Sequence, residues 1–287
     1  MKAGVRRRSR GPLLVVPSAL WLGLFFTLPL IIVILISLVE RGRAGGVRTP
    51  LVFTLEYYQR LADPLYLSIL WRSVRIALVV TSVCVLLGYP LAVFMSRSLV
   101  RVRGALLLLV MIPFWTNFLV RTYAIKLMLG ADGLVNSLLV STGMVQAPLS
   151  LLFNEFAVVL GLVYGYLPFA VLPMYASVEK FDGRLMEAAA DLGANLRRAF
   201  LRVMLPLTLP GVLAAVVLVF VPVVGAFITP DIMGGGKIEM IGTLINRQFG
   251  VARNWPFGSA MSLALMVMVV IGVLYYFRSG AETERPL

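Results

Sequence analysis

No histidine occurs in these 287 residues, and only one cysteine, Cys84. The first absence removes imidazole acid–base chemistry and every metal site built on His ligands. The second removes intrachain disulfides and cysteine clusters, and leaves the redox compartment unmarked. Acids are scarce, with 13 Asp and Glu against 26 Lys and Arg. No paired acids stand inside the apolar stretches, where a proton relay would need them. A phosphate-cradling loop is missing as well. The nearest sequence, GGGKIE at 234–239, places Ile where Ser or Thr must follow the lysine. The chain therefore offers no catalytic residues, no metal ligands and no ATP site of its own.

Charge of either sign is thin, at 14% of residues against 60% hydrophobic, with a mean hydropathy of +0.94. A soluble domain carries about a quarter charged residues. Residues 11–39, 76–96, 104–120, 156–178, 203–230 and 254–277 contain no Asp, Glu, Lys or Arg. A membrane-spanning helix needs about 20 mostly apolar residues. This predicts an all-α polytopic membrane protein with six spans, at about 12–39, 75–97, 104–129, 154–178, 206–229 and 256–277. The membrane body runs over 12–277, between a basic N-terminus at 1–11 and a tail at 278–287. The uncharged but polar block 133–154 reads as an outer connection with a partial or re-entrant helix.

The net charge of +13 would suggest nucleic acid in a soluble protein. Here it sorts by side of the membrane instead, and no nucleic-acid partner is expected. The start MKAGVRRRSR holds five of the 26 basic residues, and the 97–103 and 178–206 loops add three and five more. Short loops rich in Lys and Arg stay in the cytoplasm. Both termini are therefore expected inside, with 179–206 as the longest cytoplasmic loop. The apolar run after MKAGVRRRSR is far longer than a secretory h-region, so an uncleaved anchor is expected.

That loop contains EAAADLGANLRRAFLRVMLPLTLPG, residues 187–211. Leu185, Met186, Ala189 and Leu192 fall on one helical face, with Asp182 as N-cap. Gly193 supplies a stop in the left-handed conformation. Asn195 can cap a second helix, whose apolar stripe is Leu196, Ala199, Phe200, Val203 and Met204. Pro206 and Pro210 then open the fifth span. An amphipathic connector at the headgroups explains the arginines but not Glu187 among alanines. A short helix-turn-helix that docks into another protein explains both.

The segment resembles the cytoplasmic EAA loop of ABC importer permeases. Glu187-Ala188-Ala189, three residues, Gly193, nine residues, Val203, one residue and Leu205-Pro206 reproduce that pattern with every spacer. WRSVRIALVVTSVCVLLGYPLAVFMSR (71–97), MIPFWTNFLVRTYA (111–124), GLVYGYLPFAVLPMY (161–175), FITPDIMGGGK (227–237) and NWPFGSAMSLAL (254–265) are similar to the spermidine/putrescine branch. The resemblance implies the type I (MetI-like) permease fold in a bacterial inner membrane. It also implies a coupling role for Glu187, Ala188, Ala189, Gly193, Val203, Leu205 and Pro206. The partners implied are two ATPase subunits that bind the ATP, a sister permease in a heterodimer and a periplasmic substrate-binding protein. The cargo implied is a polyamine or a related small organic cation. An amino-acid or opine cargo is the alternative, and an ATP-independent secondary transporter the rival.

An organic cation needs aromatic faces and carboxylates along its route. Trp115, Asn117, Tyr166, Phe227 and Asp231 are the candidate pathway residues, with Tyr123, Tyr164 and Phe169 as further aromatics. Asn117 is expected to meet another helix or a wet cavity, because an unpaired amide in lipid is costly. Asp231 suits an outer gate contact or a cap after Pro230. Arg121 and Lys126 are expected to snorkel to the outer interface. Gly88, Pro90, Pro168, Pro173, Pro222 and Gly225 are weak points in their helices. The outer segment 51–73 reads as an amphipathic surface helix able to help dock the binding protein.

Overall fold

The computed structural model describes residues 11–281, so most of the expected basic start and tail lie outside the described residues. The described residues are mostly helical, and among them β-structure is confined to the isolated bridges Val39↔Phe53 and Arg41↔Val47. Among the described residues, six helical segments are long and apolar enough to cross a membrane. The chain divides into two units, one from residues up to Asp63 with Ile245–Gly272, the other from Pro64–Leu244 with the segment from Val273.

The first unit begins with α1 (Gly11–Ser37). None of the apolar window of this helix is buried, and Leu20, Trp21 and Phe26 are among its exposed residues. Its surface is therefore made for lipid or for another subunit. The chain then turns through the β-bridged loop into α2 (Glu56–Leu61). Tyr57 is buried there, and its hydroxyl accepts from the Arg41 N–H at 3.0 Å. Tyr58 and Ser37 share a hydrogen bond of 2.7 Å. The Phe257 ring lies 6.0 Å from Tyr57 and carries the Arg60 guanidinium at 5.0 Å. The Arg41 guanidinium donates to the Ala252 carbonyl and the Gly46 N–H to the Arg253 carbonyl. The surface helix expected over 51–73 divides into the six residues of α2 and the first ten residues of the next helix. Pro64 disfavours helical geometry in the residue before it, so a new helix starts there.

That new helix is α3 (Pro64–Arg97), a longer span than the expected 75–97. The second unit packs it against α7 (Glu155–Glu179) and α10 (Leu205–Val224). Ile76, Val80 and Met95 of α3, Leu162 and Met174 of α7, and Ala215 and Val219 of α10 form the buried core. Small residues set the spacing, as expected where lipid removes most of the hydrophobic drive between helices. Gly88 lies against Val171 and Met174, and Gly211 against Ser177 and the Pro173 carbonyl. Near the start of α3 and α7, Arg75 pairs with Glu155 at 2.5 Å. The buried Ser73 hydroxyl accepts from the Ile241 N–H at 2.7 Å, a contact across 168 residues of sequence.

The expected third span at 104–129 is two helices, α4 (Val100–Trp115) and α5 (Phe118–Leu129). A short α6 (Leu134–Ser141) follows. By length and apolarity the spanning segment here is Phe118–Ser141, so 134–141 belongs with it and not with the outer connection alone. The buried Asn136 side chain ties this segment down, donating to the Gly130 and Leu149 carbonyls and accepting from the Leu149 N–H. The fifth helix stops at Val224, short of the expected 229. Gly225 ends it, and α11 (Ile228–Gly234) follows after a break of three residues. The Gly225 and Ala226 carbonyls face Gly242 so closely that a side chain there would strike backbone. Gly242 lies in α12 (Ile241–Phe249), and α13 (Trp255–Ala281) is the last helix.

Candidate functional site

The loop 179–206 folds as two short helices on one stem. Asp182 opens α8 (Arg184–Asp191), its carboxylate accepting from the Arg184 N–H at 3.0 Å. At the far end the Ala194 N–H bonds the Ala189 carbonyl and the Gly193 N–H bonds the Ala190 carbonyl, both at 2.9 Å. Gly193 sits at φ +81°. Those paired bonds around a left-handed glycine are the Schellman stop. They explain the motif spacing, because the second alanine of EAA is the residue whose carbonyl the stop must satisfy. Asn195 then caps α9 (Leu196–Ala199), accepting from the Arg198 N–H at 2.9 Å. Both turn signals stand in the structure where the sequence placed them.

Between α9 and α10 lies one π-helical turn, Phe200–Met204, closed by the Leu205 N–H on the Phe200 carbonyl. Pro206 follows immediately. It has no N–H for the Arg202 carbonyl, and its ring would crowd that carbonyl in a regular helix. The wider turn gives it room. The second helix of the knob thus runs into the fifth span without a loop.

Glu187 and Ala188 are exposed and Ala189 is half-buried. Leu192 and Leu196 at the tip are 90% and 77% exposed. A groove of about 470 Å³ lies beside them, lined by Arg97, Met186, Glu187, Ala190, Leu196 and neighbours. Ala199 and Met204 are buried and anchor the stem. Val203 and Leu205 are half-buried beside them, and Pro206 is exposed.

Three contacts that the sequence did not reveal tie this stem to the spans. The Tyr89 hydroxyl of α3 and the Thr208 hydroxyl of α10 lie 2.7 Å apart, both residues buried. The Thr208 hydroxyl donates to the Met204 carbonyl, so Tyr89 is the donor of the pair. The Tyr89 ring meets Phe200 edge-on at 5.8 Å, and Ser177 of α7 donates to the Thr208 carbonyl at 3.2 Å. At the same end Arg103 clamps Glu179 at 2.7 Å and the Ser96 carbonyl at 2.7 Å. The two basic loops, 97–103 and 179–206, therefore share one end of this unit, as the charge count requires.

The five candidate pathway residues do not converge on one site. Trp115 is 71% exposed at the end of α4. The Asn117 side chain is used within its own helix. Its Oδ1 accepts from the Leu119 and Val120 N–H groups and caps α5. The amide is used locally because the chain breaks there. Tyr166 packs with Phe169, and Phe169 with Phe114, at ring distances of 5.9 and 5.2 Å. Phe227 stands at the N-cap position of α11, where no side chain caps the helix, and the exposed Asp231 lies in the first turn.

Arg121 departs from its expected place. It does not reach outward. It is 9% exposed, and its Nη1 donates to the Pro113 carbonyl at 2.7 Å. The Phe118 and Tyr164 ring centres lie 5.4 and 5.8 Å from its guanidinium carbon. Lys126 sits 5.7 Å from the Tyr123 and Phe153 rings.

The family described as binding-protein-dependent transport system inner membrane component matches residues 84–279. The spermidine/putrescine transport system permease protein PotB of Haemophilus influenzae is 42% identical over 265 residues, 92% of each chain. The protein of the same name from Escherichia coli is 44% identical over 260 residues, 91% of this chain and 94% of its own. A bacterial alginate ABC transporter, solved with a periplasmic protein bound to an alginate pentasaccharide, superimposes with a TM-score of 0.73 at 16% identity. The matched chain is covered to 98% and this one to 99%, and that likeness speaks to the fold.

Proposed function

The chain belongs to the binding-protein-dependent transport system inner membrane components, and from that premise we propose that it carries spermidine or putrescine inward as one of two permease subunits of an ATP-driven importer. It is an inner-membrane transport subunit and not an enzyme. The cargo rests on one observation above the others, identity of 42–44% along nearly the whole chain with permeases named for those two polyamines. ATPase and substrate-binding partners go with such a permease. Two ATPase subunits and a different sister permease complete the assembly in this reading, with ATP bound by the ATPases alone.

The knob at 184–206 provides the handle. Closure of the ATPase pair moves α8 and α9. The motion enters α10 directly, since no flexible loop intervenes, and enters α3 and α7 through Tyr89, Thr208 and Ser177. The spans then swing between inward-open and outward-open forms, with the binding protein loading the outer side. Hydrolysis resets the cycle. Rigid elements with two arrangements are what such coupling needs.

Calorimetry on the partner binding protein, run across putrescine, spermidine, amino acids and opines, tests the cargo. Micromolar or tighter binding of a polyamine is expected. Affinity only for an amino acid or opine would replace the cargo and leave the permease role intact. In proteoliposomes the assembled transporter accumulates labelled polyamine only with ATP. Accumulation without ATP would instead favour a secondary transporter.

A further inference from the structure

Arg121 is a buried cation with no carboxylate ion-paired to it among the described residues. A charge inside a membrane span is expensive and calls for a named partner. Its partners are a carbonyl and two rings. The chain leaves helical geometry at Thr116, where ψ is 149°, so the Pro113 carbonyl takes its bonds from side chains. Arg121 Nη1 and Thr116 Oγ1 both donate to it at 2.7 Å. One carbonyl acceptor and two π faces are a recognition set for any small organic cation, alkylammonium as well as guanidinium. Tyr164 is 43% exposed, so the set is open on one side.

We propose that the Pro113 carbonyl with the Phe118 and Tyr164 rings is a site for an organic monocation, filled at rest by Arg121, and that a primary ammonium of the transported amine takes that place in passage. This rests on the polyamine reading above. The lack of a neutralising acid suits a transit point, where binding must be weak enough to release. The tethered guanidinium returns to the site behind the cargo and prevents it from becoming a trap.

The test uses the full transporter. Arg121→Ala should lower polyamine uptake about tenfold, the weight of a desolvated cation–π contact with its hydrogen bond. Millimolar methylguanidinium or ethylammonium should restore much of that loss. Urea, similar in shape to guanidinium but neutral, should not. Each cation should also raise the thermal midpoint of the Arg121→Ala transporter and leave the wild type unmoved. That readout does not depend on the cargo. If wild-type uptake of polyamines is absent while the midpoint still rises, the cargo reading fails and the site stands. If neither cation acts, or urea acts equally, the site is overturned. Should Arg121→Ala fail to assemble, Arg121→Lys and Arg121→Gln decide. Lys is expected to support uptake and Gln, a donor without charge, is not. Equal uptake by the two would reduce Arg121 to a structural hydrogen bond.

Discussion

Gly193 is the residue on which the knob turns, because φ of +81° is open to glycine and costs an L side chain about 1–2 kcal/mol. Gly193→Pro would force φ to the other sign and remove the N–H that bonds the Ala190 carbonyl. Glu187→Lys would reverse the charge on the exposed face beside the tip. Both variants should insert normally and still assemble. Polyamine uptake should fall by about one to two orders of magnitude, the range of ordinary coupling energies, while ATP turnover persists. Uptake at the wild-type level in either would refute the coupling role. Gly193 and Asn195 were legible in the sequence because caps are local, written within four residues of the backbone groups that they satisfy. Asn117 and Arg121 were not. What they bond to exists only because α4 breaks, and Thr116-Asn117, the polar pair at the break, reads equally well as a pathway amide and as a cap. Tyr89 was hidden for a related reason, since its partner Thr208 lies 119 residues away.

Among the elements, the spans were readable by hydropathy and their ends were not. Hydropathy shows where lipid is tolerated, but Pro64, Asn117 and Gly225 decide where helices begin and end. The π-helical turn before Pro206 was likewise invisible, since periodicity shows the stripe but not the pitch. The joint between α7 and α10 is a close crossing that sequence reading overlooked. A methyl group on Gly211 would approach the Pro173 carbonyl to 2.7 Å and strike the Ser177 side chain. Backbone cannot yield as a flexible side chain can, so Gly211→Ala should cost about 1–3 kcal/mol. A lower thermal midpoint in detergent, with reduced membrane yield, is the expected outcome. An unchanged midpoint would mean that the two helices separate more easily than their packing indicates.

For the whole molecule, orientation is the proposition that organises the rest. The knob is a handle only if it lies in the cytoplasm. Cys84 is the sole thiol and is fully buried, so a cysteine placed at Leu192, 90% exposed, would report without background. Leu192→Cys should react with a membrane-impermeant maleimide in inverted vesicles and stay unlabelled in intact spheroplasts. The reverse pattern would overturn the inside assignment of both termini along with the coupling role. The fold class was legible at this scale because lipid permits few architectures, and six charge-free runs already select among them. The division into two units was not legible, since it joins residues from both ends of the chain.

Ser73 and Ile241 meet across 168 residues, and this has a consequence for biosynthesis. Ribosomes add about 5–20 residues each second, so the hydroxyl emerges some 10–30 s before the amide that will bond it. Through that interval the newborn α3 waits with its N-terminal half incomplete. Until the partner arrives, shelter has to come from the insertion machinery and not from the protein itself.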